Sequence, residues 1–366
     1  MNDIMENTQE KEIEGLGKDE DVFLGDYPID TLLIRNENRT VHDVLRRIEK
    51  GSFVMDPDFQ RDFIWSEDKQ SKLIESVLMR IPLPVFYLAE NSKGQMVVVD
   101  GLQRLSTFQR FVNNDLKLKL PHPDLNNRKF LDLSPKLQNR IEDCNLVLYV
   151  IDAKVPMQAL LDIFERVNSG VPLTRQQMRN CLFMGPATHF LKDEANTVLF
   201  KEATGESLDT NTMRDREFIN RFCAFQLLGT DRYKGDMDDF LAKTLQFMNE
   251  LEPIELEKLS SKFRTGLKNN IIVFGKHAFR KHMQDQENRS VINASLWDVM
   301  STGLSCYPDH LVEARAELLK DAFYQLLDNE KFVESITLGT NQVNRVKERF
   351  LQTRNVFREV FDDFSN

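Results

Sequence analysis

Apolar residues follow two regimes along the chain. Between residues 25 and about 185, short apolar runs interleave with helical spacings, whereas from Gly185-Pro186 onward segment after segment repeats at the helical period. In the first regime, Tyr27-Pro28-Ile29-Asp30-Thr31-Leu32-Leu33-Ile34 is predicted as a strand and residues 40–48 as a short capped helix. Ser66 is the next N-cap, with Glu67 and Asp68 in the first turn, where the helix dipole favours acids. Leu73, Ile74, Val77, Leu78 and Ile81 give that helix one apolar face, and Ile81-Pro82-Leu83-Pro84 ends it because proline cannot continue a helix.

Residues 85–90 and 95–100 read as strands joined by a hairpin turn at Asn91-Ser92-Lys93-Gly94. Leu116-Lys117-Leu118-Lys119-Leu120 alternates strictly, the signature of a half-buried strand, and residues 145–151 form a further apolar strand placed towards the centre of the sheet. Residues 156–167 are an amphipathic helix stopped by Asn168-Ser169-Gly170, and Thr174-x-x-Gln177 is a capping box for the next one. In the second regime, helices are predicted over 218–228, 237–251, 262–279, 296–306, 311–327 and 343–364. The last places Val343, Val346, Phe350, Phe357, Val360 and Phe364 near heptad positions. Packing in a bundle is the expected use, and a short coiled coil that makes a homodimer is the alternative. The predicted fold class is therefore α+β: a mixed domain over 25–185, without the regular alternation of a doubly wound sheet, followed by an all-α helical bundle over 186–366.

Charge changes the picture at one end. Residues 1–21 hold eight acids against Lys11 and Lys18, so this segment carries −6 of the total −10 and leaves −4 for the rest. The tail, residues 1–24, is expected to be disordered and solvated. A nearly neutral body gives no bulk footprint for nucleic acid, so any such contact must come from a local patch. At 41% hydrophobic and 29% charged, with no apolar stretch of membrane-spanning length and no signal-peptide pattern, the chain reads as a cytoplasmic globular protein. Cys144, Cys181, Cys223 and Cys306 are far apart and make no C-x-x-C pair, which argues against a zinc knuckle and a disulfide framework and predicts buried thiols.

The candidate chemistry lies at Val97 to Phe108. Three β-branched valines suit a buried strand, Gly101 frees the backbone to bend, and Leu105, Phe108, Phe111 and Val112 recur at helical spacing. Such a strand-to-helix turn presents first-turn N–H groups beside Gln103, Arg104, Ser106 and Thr107, a setting for phosphate. The bland alternative has Arg104 merely paired with a carboxylate. Upstream, Gln60, Arg61 and Trp65 offer planar donors and a flat face just before a helix, so the two clusters can wall one polar pocket.

Four ordered motifs, Phe59-Gln60-Arg61-x-x-x-Trp65, Leu73-Ile74-Glu75-Ser76-x-x-x-x-Ile81-Pro82-x-Pro84, Val99-Asp100-Gly101-x-Gln103-Arg104-Leu105 and Phe164-Glu165-Arg166-x-Asn168-Ser169-Gly170, together resemble the N-terminal domain family of GmrSD-type modification-dependent restriction enzymes. The C-terminal half resembles stand-alone members through Phe222-x-x-Phe225-x-Leu227-Leu228-Gly229 and Thr340-Asn341-x-x-x-Arg345-Val346-x-x-Arg349-Phe350. The resemblance implies a ParB/sulfiredoxin-like core that binds, and in some members hydrolyses, a nucleoside triphosphate with Mg2+. The family signature is usually Asp-Gly-Gln-Gln-Arg; here Leu102 replaces the first Gln, which weakens the case for turnover. By resemblance, Gly101 and Arg104 would contact phosphate and Asp100 and Gln103 would act as the catalytic pair positioning metal or water. Gln60, Arg61, Trp65, Ser106, Thr107 and Asn168 would complete the nucleotide site.

Two nuclease readings are weaker. An HNH module needs clustered His and Asn, and the six histidines form no such cluster; His277 and His282 are five apart, off helix-face spacing. Pro57-Asp58 with Glu67-Asp68-Lys69 fits PD-(D/E)-x-K only superficially, because its second half must lie on a strand and Ser66 starts a helix. Asn341, Arg345 and Arg349 form either a basic face for nucleic acid or a partner, or intramolecular ion pairs. The expected function is a nucleotide-binding protein of DNA restriction or anti-phage defence, acting with DNA or a separate nuclease. The alternatives are a protein acting directly on DNA phosphodiester and a silent interaction module.

Overall fold

The computed structural model describes residues 13–14, 33–55, 65–91, 93–167 and 174–362, except the side chains of residues 158, 165 and 167. The chain divides into two compact units, one over Leu24–Met184 and one built from Gly185–Asn366 with residues of the N-terminal tail.

The first unit is a five-stranded sheet between two helical layers. Its elements are β1 (Ile34–Thr40), α1 (Val41–Glu49), β2 (Phe53–Val54), α2 (Glu67–Leu78), β3 (Phe86–Glu90), β4 (Met96–Asp100), α3 (Leu102–Val112), α4 (Pro135–Glu142), β5 (Asn145–Ile151), α5 (Met157–Val167) and α6 (Arg175–Leu182). The strand order is β1-β5-β3-β4-β2, with both parallel and antiparallel pairs. Period-2 alternation then sorts the side chains. Leu88, Val98, Leu148 and Val150 join the core with α1 to α4, whereas Ala89, Val99 and Ile151 join the core with α5 and α6. Between Leu88↔Val98 and Tyr87↔Asp100, β4 advances two residues while β3 advances one, a bulge that re-aims the strand just before Gly101.

Most predicted elements form. Thr40 caps α1, Ser66 caps α2 through the Lys69 N–H, and the Thr174/Gln177 capping box is complete. The α2 start also removes the PD-(D/E)-x-K reading, because Glu67-Asp68-Lys69 is helical; Asp58 lies outside the described residues. Three expectations need correction. The first described strand runs from Ile34 to Thr40, past the expected end at Ile34; residues 27–32 of the expected strand lie outside the described residues. Its sequence, Ile-Arg-Asn-Glu-Asn-Arg-Thr, lacks apolar alternation because it is an edge strand, joined to β5 over seven residue pairs. Ion pairs from Arg35 to Glu37 and Glu90, at 3.0 and 2.8 Å, hold its side chains. Residues 116–120 are not a strand. Leu116, Leu118 and Leu120 are buried as the alternation requires, but the backbone bonds to the Arg128 carbonyl, to the Ser71 hydroxyl and to the Asn126 side chain instead of a ladder. Finally, β3 and not β5 is the central strand.

The second unit has ten helices among the described residues: α7 (Pro186–Ala195), α8 (Val198–Thr204), α9 (Arg214–Leu227), α10 (Met237–Met248), α11 (Pro253–Phe274), α12 (Ala294–Leu304), α13 (Asp309–Ala314), α14 (Ala316–Asp328), α15 (Glu330–Thr337) and α16 (Val343–Phe361). The α+β expectation, a mixed unit followed by a helical one, is met. Sequence periodicity missed the short α7, α8 and α15 and merged α13 with α14. At its centre Trp297 lies edge-on to Phe218, at 5.4 Å between ring centroids, and donates its indole N–H to the Phe218 carbonyl. Next to it Asp298, fully buried, takes a bidentate pair from Arg221, at 2.8 and 2.6 Å, and a third bond from Arg349 at 3.0 Å. Val346, Phe357 and Val360 of α16 are buried within this unit, as a bundle helix requires. From the acidic tail, Glu14 bridges to this unit. Its N–H bonds to the Ile292 carbonyl, its carbonyl accepts from Ala294 N–H, and its carboxylate pairs with Lys281. That position is therefore held; the rest of the tail expected to be disordered, apart from Ile13, lies outside the described residues.

All four cysteines are free thiols; Cys181 and Cys223 are buried as expected, but Cys144 is half-buried and Cys306 exposed. Among the described residues no helix is long and apolar enough to cross a membrane.

Two stability outcomes are expected. Asp298→Ala strands two buried guanidinium groups and should cost about 3–5 kcal/mol in urea denaturation at neutral pH; a loss under 1 kcal/mol would contradict the pairing. Burial pushes the Asp215 carboxyl up to about 6. Because the folded value is raised, its favourable contribution is complete below the ordinary carboxylate range and is lost as pH rises through 6. Asp215→Asn should thus stabilise the protein at pH 7.5, by about 3 kcal/mol at most, and give no gain near pH 3.5.

Candidate functional site

The junction of β4 and α3 is built around Gly101. Its φ of +102° lies where L side chains are strained, and a Cβ there would come within 2.2 Å of Phe86 Cδ1. Gly101 therefore lets the backbone turn directly against a ring. As N-cap of α3 it offers no side chain, and the first intrahelical bond runs from Leu105 N–H to the Gly101 carbonyl. The N–H groups of Leu102, Gln103 and Arg104 thus have no partner among the described residues, and they carry the positive end of an eleven-residue helix.

Arg104 does not reach outward from this turn. Its guanidinium bonds to the Asp100 carboxylate at 2.7 Å, to the Val85 carbonyl at 3.0 Å and to the Pro84 carbonyl, and it lies 4.1 Å over the Phe86 ring. It is only 8% exposed. Burial pushes Asp100 above the usual carboxylate range and Arg104 below the usual guanidinium range, each opposed by the attraction of the other. Arg104 thus latches the segment before β3 to the turn after β4, the carboxylate pairing that the sequence offered as the alternative to a phosphate contact. Leu102 faces the apolar core with α1 to α4, so no polar side chain stands at that position.

Gln103 connects the turn to the upstream motif. Its Oε1 accepts the Trp65 N–H at 3.0 Å, the Trp65 carbonyl accepts from the Gln70 amide at 2.5 Å, and the Gln70 oxygen accepts from Arg110 at 2.8 Å. The two motifs predicted to share a pocket are therefore joined through Trp65. The indole itself packs, partly buried, against the apolar core. Thr107, 1% exposed, donates to the Gln103 carbonyl inside the helix. The Ser106 hydroxyl is buried without a partner among the described residues. Gln60, Arg61 and Asn168 lie outside the described residues.

Asn341, Arg345 and Arg349 do not form a basic face. Arg349 is fully buried on Asp298, Arg345 pairs with Glu334 at 2.7 Å, and the Asn341 carbonyl accepts the Tyr233 hydroxyl at 2.6 Å. Sequence reading missed the roles of Phe86 and Gln70. Gln70 had a signal, a polar residue one turn before Leu73 and Ile74 on a buried helix face. Phe86 had none, because only the fold brings it under Gly101. Among the described residues no three His, Cys, Asp or Glu side chains gather as a metal site. Asp100 supplies a single carboxylate, so Mg2+ would draw its other ligands from phosphates and water.

Residues 41–184 match the family described as GmrSD restriction endonuclease, N-terminal domain. The match ends where the first compact unit ends. No match was found among curated proteins or among solved structures.

Gly101→Ala combines a left-handed φ with a Cβ driven against the edge of the Phe86 ring, and should destabilise this domain by about 3 kcal/mol. Thermal unfolding followed by circular dichroism would register that loss, and an unchanged melting temperature would refute the close approach.

Proposed function

Since residues 41–184 form a GmrSD N-terminal-like domain, we propose that this chain is a nucleotide-binding protein of a restriction or defence system. The carrying observation is the set of N–H groups at Leu102, Gln103 and Arg104 that have no partner among the described residues, at a helix start with no side-chain cap and beside the Gln103 amide. A phosphate at this position would receive backbone N–H bonds from a fixed helix end and lose little entropy in ordering them. Arg104 contributes as a positioning residue, through the bonds that fix the turn.

Binding is better supported than hydrolysis. Asp100 is tied to Arg104 and to the Gly101 N–H, and the Gln103 oxygen to Trp65, so both side chains are committed to holding the turn, and a neutral amide such as Gln103 cannot itself act as a base. Leu102 adds no polar group. The nucleotide would act by favouring one conformation of the protein over another, in proportion to its differential affinity. DNA and a separate nuclease are the partners that a restriction role implies.

Calorimetric titration of the full chain with ATP and GTP tests this reading. Gln103→Glu retains an acceptor for the Trp65 N–H while placing negative charge at the helix end. It should therefore fold normally and bind nucleotide at least tenfold more weakly, about 1.4 kcal/mol. Equal affinity in the variant, or no binding by the wild type, would exclude the turn as a nucleotide site.

A further inference from the structure

A cleft of about 460 Å3 opens in the same domain, between the end of α2 and α4, and none of its lining residues belongs to the Asp100 to Arg104 turn. Its cationic side chains are Arg80, Lys136 and Arg140, against one acid, Asp143. No ion pair engages any of the three cations among the described residues, although most other arginines of this domain are paired. Lys136 and Arg140 stand four apart on α4, a like-charge spacing that is unfavourable in the isolated helix. Arg140 is fixed there by a bond from its Nη1 to the Leu78 carbonyl at the end of α2. Val77 and Leu83 supply an apolar wall, and Asn139 and Asn145 supply amide groups.

Arg80 is the telling residue. Its N–H bonds to the Val77 carbonyl and the Ile81 N–H to the Ser76 carbonyl, the paired bonds of a helix terminus whose left-handed position usually belongs to glycine. Arginine occupies it at φ +61°. Nothing in the packing requires a side chain there, since Arg80 is exposed. A strained cation beside two further unpaired cations points to a ligand that uses the charge. Exposed Met79 and Ile81 flank it and offer apolar contact for sugar or base edges.

We propose that this cleft is a second, nucleic-acid site, in which Arg80, Lys136 and Arg140 hold phosphodiester groups of a DNA strand. A local patch of this kind satisfies the requirement set by the chain's net charge of −10, which gives no general attraction for a polyanion. The choice of DNA rests on the restriction reading; the phosphate chemistry of the cleft does not.

Fluorescence anisotropy of the full chain with labelled single- and double-stranded oligonucleotides, over a salt series, tests the assignment. Arg80→Gly is the informative variant, because glycine suits the backbone better: its melting temperature should equal or exceed that of wild type. Its DNA affinity should fall several-fold and its salt slope flatten by about one unit, and Arg80→Gly with Lys136→Gln by about two. Whichever oligonucleotide form binds with that dependence identifies the strand. Lys93→Gln, exposed on the hairpin and outside the cleft, should change neither quantity. ATP and GTP affinities of Arg80→Gly should also match wild type, which separates this site from the nucleotide turn. The assignment is overturned if wild type does not retain DNA at low salt, if the Arg80 variant keeps its slope, if Lys93→Gln weakens binding equally, or if poly-glutamate displaces the DNA at matched charge.

Discussion

The first domain depends on one guanidinium. Arg104 reaches back from α3 to the Asp100 carboxylate at the end of β4, to the carbonyls of Pro84 and Val85 ahead of β3, and to the face of Phe86. The end of β4 at Asp100 and the stretch Pro84-Val85-Phe86 lie side by side but are separated in the chain, and both carry polar groups that the approaching helix would otherwise bury without a partner. Removing the arginine would leave Asp100 desolvated and unpaired, the costlier half of a broken buried pair. The latch ties the first turn of α3 to the end of β4 and to the segment ahead of β3.

The same economy explains why the motif residues divide as they do. In Asp100-Gly101-Leu102-Gln103-Arg104, the charged pair holds the turn, the glycine admits Phe86, and the leucine packs into the core. What remains for a ligand is backbone N–H and the Gln103 amide. In the proposed site the side chains would set the geometry and the main chain would make the contacts, as suits an anion with several equivalent oxygens. The cleft at Arg80 has the opposite character: its cations make no ion pair among the described residues and stand beside a wall of apolar residues, an arrangement that would suit a polymer recognised by charge.

The helical unit solves a related problem in its core. Asp298 lies between Arg221 and Arg349, so a buried carboxylate neutralises one cation and orders a second. Residues that looked from the sequence like a basic face on the last helix are in part internal struts. Arg349 in particular follows the spacing of a surface motif while being fully buried, because Asp298 on α12 lies under it.

Sequence alone determined the elements whose signal is local. Ser66 and the Thr174/Gln177 box announce their helices through hydrogen bonds within four residues, and the valines of β4 followed by Gly101 announce a turn that only a residue without a Cβ can make. Periodicity also gave the burial of Leu116, Leu118 and Leu120 correctly, although not their partners. Tertiary structure decided everything set by residues distant in the chain. It made the polar Ile34 to Thr40 segment an edge strand through β5, replaced a ladder at residues 116–120 with bonds to Ser71, Asn126 and Arg128, and turned Arg104 inward onto carbonyls twenty residues upstream. The physical reason is the same in each case. A side chain's type fixes what it can bond to, but which partner it meets depends on backbone segments that only the folded sheet brings within 3 Å.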